Sequence, residues 1–247
     1  MSRNFELMQQ LEWEEAQSTL EIGEEISPTE IRAKRATNER WAGDEVLELA
    51  HRVFLLQKQE SPRVAVFAGV DHNSGCSHVC ASVAEVLARN TPGLVCLLEA
   101  NFRSPGLPSL FNTANHYGLA DALLGETPIR SFANSIGPDN LEFISAGALD
   151  AGSCNLLTAN RVEPRLAELR TTFDFVLIDA PPLTRYADAI ALSQLSDGLV
   201  LVLEAESTRK EAALRAVETL RTSKIPILGA VLNKREFPIP ETIYSRL

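Results

Sequence analysis

At 247 residues with a 45% hydrophobic fraction, the chain can bury a sizeable core and is not a largely disordered polymer. Its formal net charge of −10 excludes a nucleic-acid partner, because no basic surplus exists to neutralise phosphates, and the same surface is repelled by an anionic bilayer face. No apolar run approaches the ~20 residues that span a membrane. The opening stretch lacks the basic-then-apolar pattern of a secretory signal. The four cysteines, Cys76, Cys80, Cys96 and Cys154, fall in apolar surroundings and read as reduced cytosolic thiols.

In chain order, residues 1–44 are expected to form an acidic, helical or flexible extension preceding a domain over 45–247. Within the extension, Phe5, Leu7, Met8 and Leu11 make a short apolar stripe, to be read either as a helix folded back on the domain or as a docking helix. From Arg63 onward, apolar runs alternate with helical patterns. Strands are predicted at Arg63–Ala68, Leu94–Leu98, Leu141–Ile144, Phe175–Ile178, Gly198–Leu203 and Ile227–Leu232. Helices are predicted at Ser77–Arg89, Asn160–Leu169, Ala187–Leu195 and Arg209–Arg221. Apolar strands separated by helices predict an α/β protein with a Rossmann-like P-loop NTPase fold, a mostly parallel, doubly wound sheet flanked by helices. Ligands in such sheets sit beyond the carboxyl ends of the strands.

The first strand runs into Gly69-Val70-Asp71-His72-Asn73-Ser74-Gly75-Cys76-Ser77, where a phosphate-cradling loop belongs. Gly75 and Ser77 stand at the second glycine and the Mg²⁺-binding hydroxyl, but Cys76 stands at the lysine and Val70 at the first glycine. A cysteine cannot bridge phosphates as an ammonium does. Asp71 adds a like charge, a repulsion on the order of 4 kcal/mol at 4 Å and an effective dielectric of 20. The N–H groups of the following helix remain, so weak phosphate binding is still expected.

Phe173-Asp174-Phe175-Val176-Leu177-Ile178-Asp179-Ala180-Pro181-Pro182, a hydrophobic strand ending in a carboxylate, resembles the Walker B segment of bacterial tyrosine kinases. Those kinases are the cytoplasmic autokinases of capsule and exopolysaccharide synthesis. Leu97-Leu98-Glu99-Ala100-Asn101-Phe102-Arg103-Ser104-Pro105 is similar to their second acidic motif, and Gly118-Leu119-Ala120-Asp121 to a further block. Tyr186-Ala187-Asp188, Asp197-Gly198 and Leu228–Asn233 follow in family order, so the resemblance covers about residues 45–235.

The resemblance implies Mg²⁺ held by Ser77 and Asp179, nucleotide contacts from Gly75, Ser77, Asp179 and Asn233 (the last near the adenine), and a catalytic pair at Glu99 and Asn101. Asn101 cannot accept a proton at neutral pH. The family's oligomerisation motif E-x-x-R-x-x-R falls on Glu45, Glu48 and His51, without its arginines, and the tail holds Tyr244 in place of a tyrosine cluster. Together with Cys76 these departures imply a degenerate kinase: no confident catalytic residue, no tightly bound cofactor, and at most weak ATP and Mg²⁺. The implied role is a scaffold or regulator of polysaccharide synthesis or export. It would be cytoplasmic and recruited to the inner membrane face by a polysaccharide co-polymerase, a chain-length regulator or an active kinase paralogue.

Two other functions stay open. One is a divergent ATPase or autokinase using Ser77, Asp179 and Glu99, with Arg103 as substitute cation; the other is a relative of partition and septum-placement ATPases. Each retained residue also has a purely structural reading: Asp179 capping a turn, Ser77 capping a helix, Gly75 supplying loop geometry.

Overall fold

The computed structural model describes residues 44–56, 61–148 and 156–235. The apolar stripe of the extension, Cys154 and Tyr244 lie outside them. Helix α1 (44–50) passes directly into one π-helical turn at His51–Leu55. There follow β1 (Val64–Gly69), α2 (Cys76–Asn90), β2 (Val95–Glu99), α3 (Leu107–Leu110), α4 (Leu119–Leu124) and a 3₁₀ turn at Ile129–Phe132. The chain continues through β3 (Asn134–Ser135), β4 (Leu141–Ile144), α5 (Ala159–Thr172), β5 (Phe175–Ala180), α6 (Asp188–Gln194), β6 (Gly198–Glu204), α7 (Lys210–Thr222) and β7 (Ile227–Asn233).

The strands form one seven-stranded sheet in the order β3-β4-β2-β5-β1-β6-β7. Every pairing is parallel except that of β3 with β4. All six predicted strands are present within a residue or two of their expected bounds, and the α/β doubly wound architecture is the one expected. The antiparallel β3 was not foreseen, since two polar, exposed residues carry no strand pattern.

Alternation along the inner strands builds two cores. On β1, Val64, Val66 and Ala68 face the layer of α4 to α7, and Ala65 and Phe67 face α1 and α2. Helix α2 buries Val79, Cys80, Val83, Ala84 and Leu87 at helical spacing against the second face. Each large aliphatic residue buried this way stabilises the fold by roughly 1.5–3 kcal/mol. No helix among the described residues is long and apolar enough to cross a membrane.

Asp197, in the turn before β6, fixes where β1 starts. Its carboxylate accepts the N–H groups of Arg63 at 2.7 Å and Val64 at 2.8 Å, and Arg170 donates to it at 2.7 Å. Burial alone would raise its pKa, but the Arg170 guanidinium and the two backbone donors outweigh that and hold it below the usual carboxylate value. Its contribution is therefore present above the unfolded-state pKa and lost as pH falls through the folded one. Asp197→Ala is expected to cost about 2 kcal/mol by urea unfolding at pH 7, because two strand-end N–H groups lose their acceptor. A change within experimental error would refute this anchoring role.

Candidate functional site

Parallel strands on either side of β1 deliver their carboxyl ends to one rim, and the loop after β1 lies across it. A cleft of about 440 Å³ opens there. Gly75, Cys76, Ser77, Asn101, Asp179 and Lys234 are among its walls, so residues from four separate segments meet in one place.

Local geometry shapes the loop. Gly75 has φ +81°, and a Cβ there would stand 2.2 Å from the Asn233 Nδ2, so only glycine fits. Asn233 Nδ2 donates to the Ser74 carbonyl at 2.9 Å, and Lys234 Nζ donates to the Asn73 carbonyl at 2.6 Å. Thr184 Oγ1 donates to Asp71 at 3.1 Å, tying the loop to the segment after β5. Helix α2 begins at Cys76 with no side-chain cap, which leaves its first-turn N–H groups open to a ligand.

Beneath the loop lies an acidic pair. Glu99 and Asp179 end adjacent parallel strands in register, and they are 0% and 1% exposed. Glu99 is committed to the backbone: it accepts the N–H groups of Asn101 at 3.1 Å, Gly106 at 3.0 Å and Leu107 at 2.9 Å. It thereby shapes the turn that carries Asn101, whose own Oδ1 accepts the Ser104 N–H at 3.3 Å. Asp179 differs, because neither of its carboxylate oxygens has a hydrogen-bond partner. Ser77 and Cys76 flank it without closing a hydrogen bond of ordinary geometry.

Desolvation raises both acids. Asp179 is pushed up to about 6, with Ser77 and Cys76 offsetting part of the rise. Glu99 is pushed up to about 9 by burial and then by the Asp179 charge, against the pull of its three N–H donors. Two acids buried at neighbouring strand ends disfavour being charged together. The Cys76 thiol is raised well above its ordinary value by burial and by Asp179, and so stays neutral.

Arg103, the expected substitute cation, is engaged elsewhere. Its Nε pairs with Asp188 at 3.5 Å, and its guanidinium stacks over Tyr186 at 4.2 Å. It does not line the cleft. The cation that does is Lys234, which directly follows Asn233 and which no motif in the sequence marks.

No family model matches the chain. Among curated proteins, it is 30% identical over 162 residues to the tyrosine-protein kinase YwqD of Bacillus subtilis, covering 66% of this chain and 68% of that one. It is 27% identical over 161 residues to the putative tyrosine-protein kinase CapB of Staphylococcus aureus, covering 65% and 70%. Against the tyrosine-protein kinase Etk of Escherichia coli K12 it is 24% identical, spanning only 24% of that protein's length.

Among solved structures, the chimerical protein CapA2B2 superposes with a TM-score of 0.73 at 21% identity, covering 78% of this chain and 85% of that one. The VpsO kinase domain gives 0.71 at 22%, covering 81% and 99%. The septum-site protein MinD of Pyrococcus horikoshii with Mg-ADP gives 0.60 at 18%, covering 74% and 76%, a likeness of fold alone. The chain belongs to the bacterial tyrosine-kinase family.

Proposed function

We propose that this chain is a catalytically degenerate member of that family, a pseudokinase that acts as a scaffold or regulator of capsule or exopolysaccharide synthesis or export. The observation that supports it most is a cysteine, Cys76, at the loop position where phosphoryl transfer requires a cation, in the same cleft as the buried Asp179 carboxylate. The second acidic segment supports it too. Asn101 cannot act as a base, and Glu99 has its carboxylate occupied by three backbone donors.

In this reading nucleotide binding is weak. The orphaned Asp179 carboxylate and the neighbouring Ser77 hydroxyl are the oxygen donors that a hard divalent cation takes, so these two residues would hold Mg²⁺. The metal would neutralise part of a polyphosphate's charge. The first-turn N–H groups of α2 would receive a phosphate, and Asn233, though its amide is engaged with Ser74, flanks the same loop. With an amide at position 101 and no cation at position 76, bound nucleotide is not turned over.

The partner class is taken from the family: a polysaccharide co-polymerase or chain-length regulator of the inner membrane, or an active kinase paralogue. The chain would work in the cytoplasm, drawn to the membrane face by that partner. A pull-down from native extract is expected to recover one of these proteins, and recovery of neither overturns the scaffold role. The competing reading is a slow ATPase built on Ser77 and Asp179, favoured by the same orphaned carboxylate; its mark is turnover that depends on Asp179.

A further inference from the structure

Among the described residues lining the cleft, Lys234 alone carries a fixed positive charge. It follows β7 with φ +56°, a conformation that a residue with a Cβ seldom adopts. There its side chain reaches the loop: Nζ donates to the Asn73 carbonyl at 2.6 Å and pairs with Glu204 Oε1 at 3.0 Å. Asn233, one residue earlier, holds the Ser74 carbonyl. The end of β7 thus engages two consecutive loop carbonyls and brings an ammonium to the wall of the cleft.

A second, independent feature of the same cleft points to a ligand. Asp179 is 1% exposed, faces the cleft, and has no hydrogen-bond partner on either oxygen. A buried carboxylate in that state is matched by a cation of the kind that accompanies a polyphosphate.

We infer that Lys234 replaces the missing loop lysine as the phosphate-binding cation of this site, with Glu204 as its internal competitor. The ligand class is the polyphosphate chain of a nucleotide. Without ligand, the ammonium rests on Glu204 and Asn73; a triphosphate draws it onto its own oxygens. The inference builds on the reading of this cleft as a vestigial nucleotide site, and it accounts for charge-assisted binding without restoring a cation at position 76.

Calorimetric titration of MgATP and of magnesium tripolyphosphate into native protein, Lys234→Met and Glu204→Gln tests it. Lys234→Met is expected to weaken both ligands about tenfold, and Glu204→Gln to tighten both by about three- to fivefold, more at low salt than at high. A lysine serving only as a tether for Asn73 predicts the opposite for Glu204→Gln, namely no change or a loss. Either that result or an unchanged affinity in Lys234→Met overturns the inference. Glu204→Gln keeps the Lys234–Asn73 contact, so it decides the matter even where Lys234→Met does not fold. Absence of binding by the native protein at millimolar ligand also overturns the inference while leaving the inert-site reading intact. Phosphate turnover would do the reverse.

Discussion

Asp179→Asn is expected to stabilise the protein by about 2–3 kcal/mol at pH 8, although it alters a fully buried acid of the site. The folded state holds this carboxyl at about 6 against an ordinary 3.8 because burial disfavours the charge. Its pKa is raised on folding, so the sign is the reverse of the usual salt-bridged aspartate. The folded state takes up protons that the unfolded state has already released, and native stability falls as pH rises above the ordinary carboxylate range. Glu99, pushed up to about 9 partly by the Asp179 charge, extends the decline into the alkaline range. An asparagine removes the charge, relieves Glu99, and can donate to Ser77 Oγ or to Glu99. Urea unfolding at pH 5, 6.5 and 8 should therefore show a falling stability for the native chain and a flatter line for the variant. Destabilisation of the variant at every pH would mean that Asp179 holds the fold together through contacts the site geometry does not contain.

Cys76→Lys is expected to tighten MgATP binding by roughly 10- to 100-fold, the value of one charge-assisted hydrogen bond to phosphate in a partly enclosed site. Residue 76 opens α2 beside the first-turn N–H groups, at the wall of the cleft and next to Asp179. An ammonium there meets an unpartnered carboxylate, so it is compensated rather than stranded, and the variant should unfold no more readily than the native chain. Calorimetry gives the affinity and a thermal melt the stability. No gain in affinity would show that the loop fails for reasons beyond the lost lysine, with Val70 in place of the first glycine and Asp71 beside it as the remaining causes.

The sheet was legible because its strands are short apolar runs such as those in Val64–Gly69 and Gly198–Glu204, alternating with helical patterns as in a sheet buried on both faces. The two polar residues of β3 had no such signature. At the site, spacing placed the loop, and Gly75, Cys76, Ser77, Asn101 and Asp179 do line one cleft. What spacing could not express was commitment. Glu99 reads as a free acid until the fold presents the N–H groups of Gly106 and Leu107 to its carboxylate. Arg103 reads as a free cation until Asp188 and Tyr186 claim it. Lys234 gave no signal because its partner, Asn73, is brought to it only by the neighbouring ends of β1, β6 and β7.

Catalytic silence is tested most directly by phosphate release from MgATP by the native protein, with Asp179→Ala as the matched control and tyrosine phosphorylation of the chain followed in the same samples. Equal release from the two proteins and no phosphotyrosine is the expected result, since position 76 carries no cation and Asn101 stands where the family's second acidic motif places a carboxylate. Release or phosphotyrosine in the native protein that disappears in Asp179→Ala would contradict it and make the chain a working enzyme.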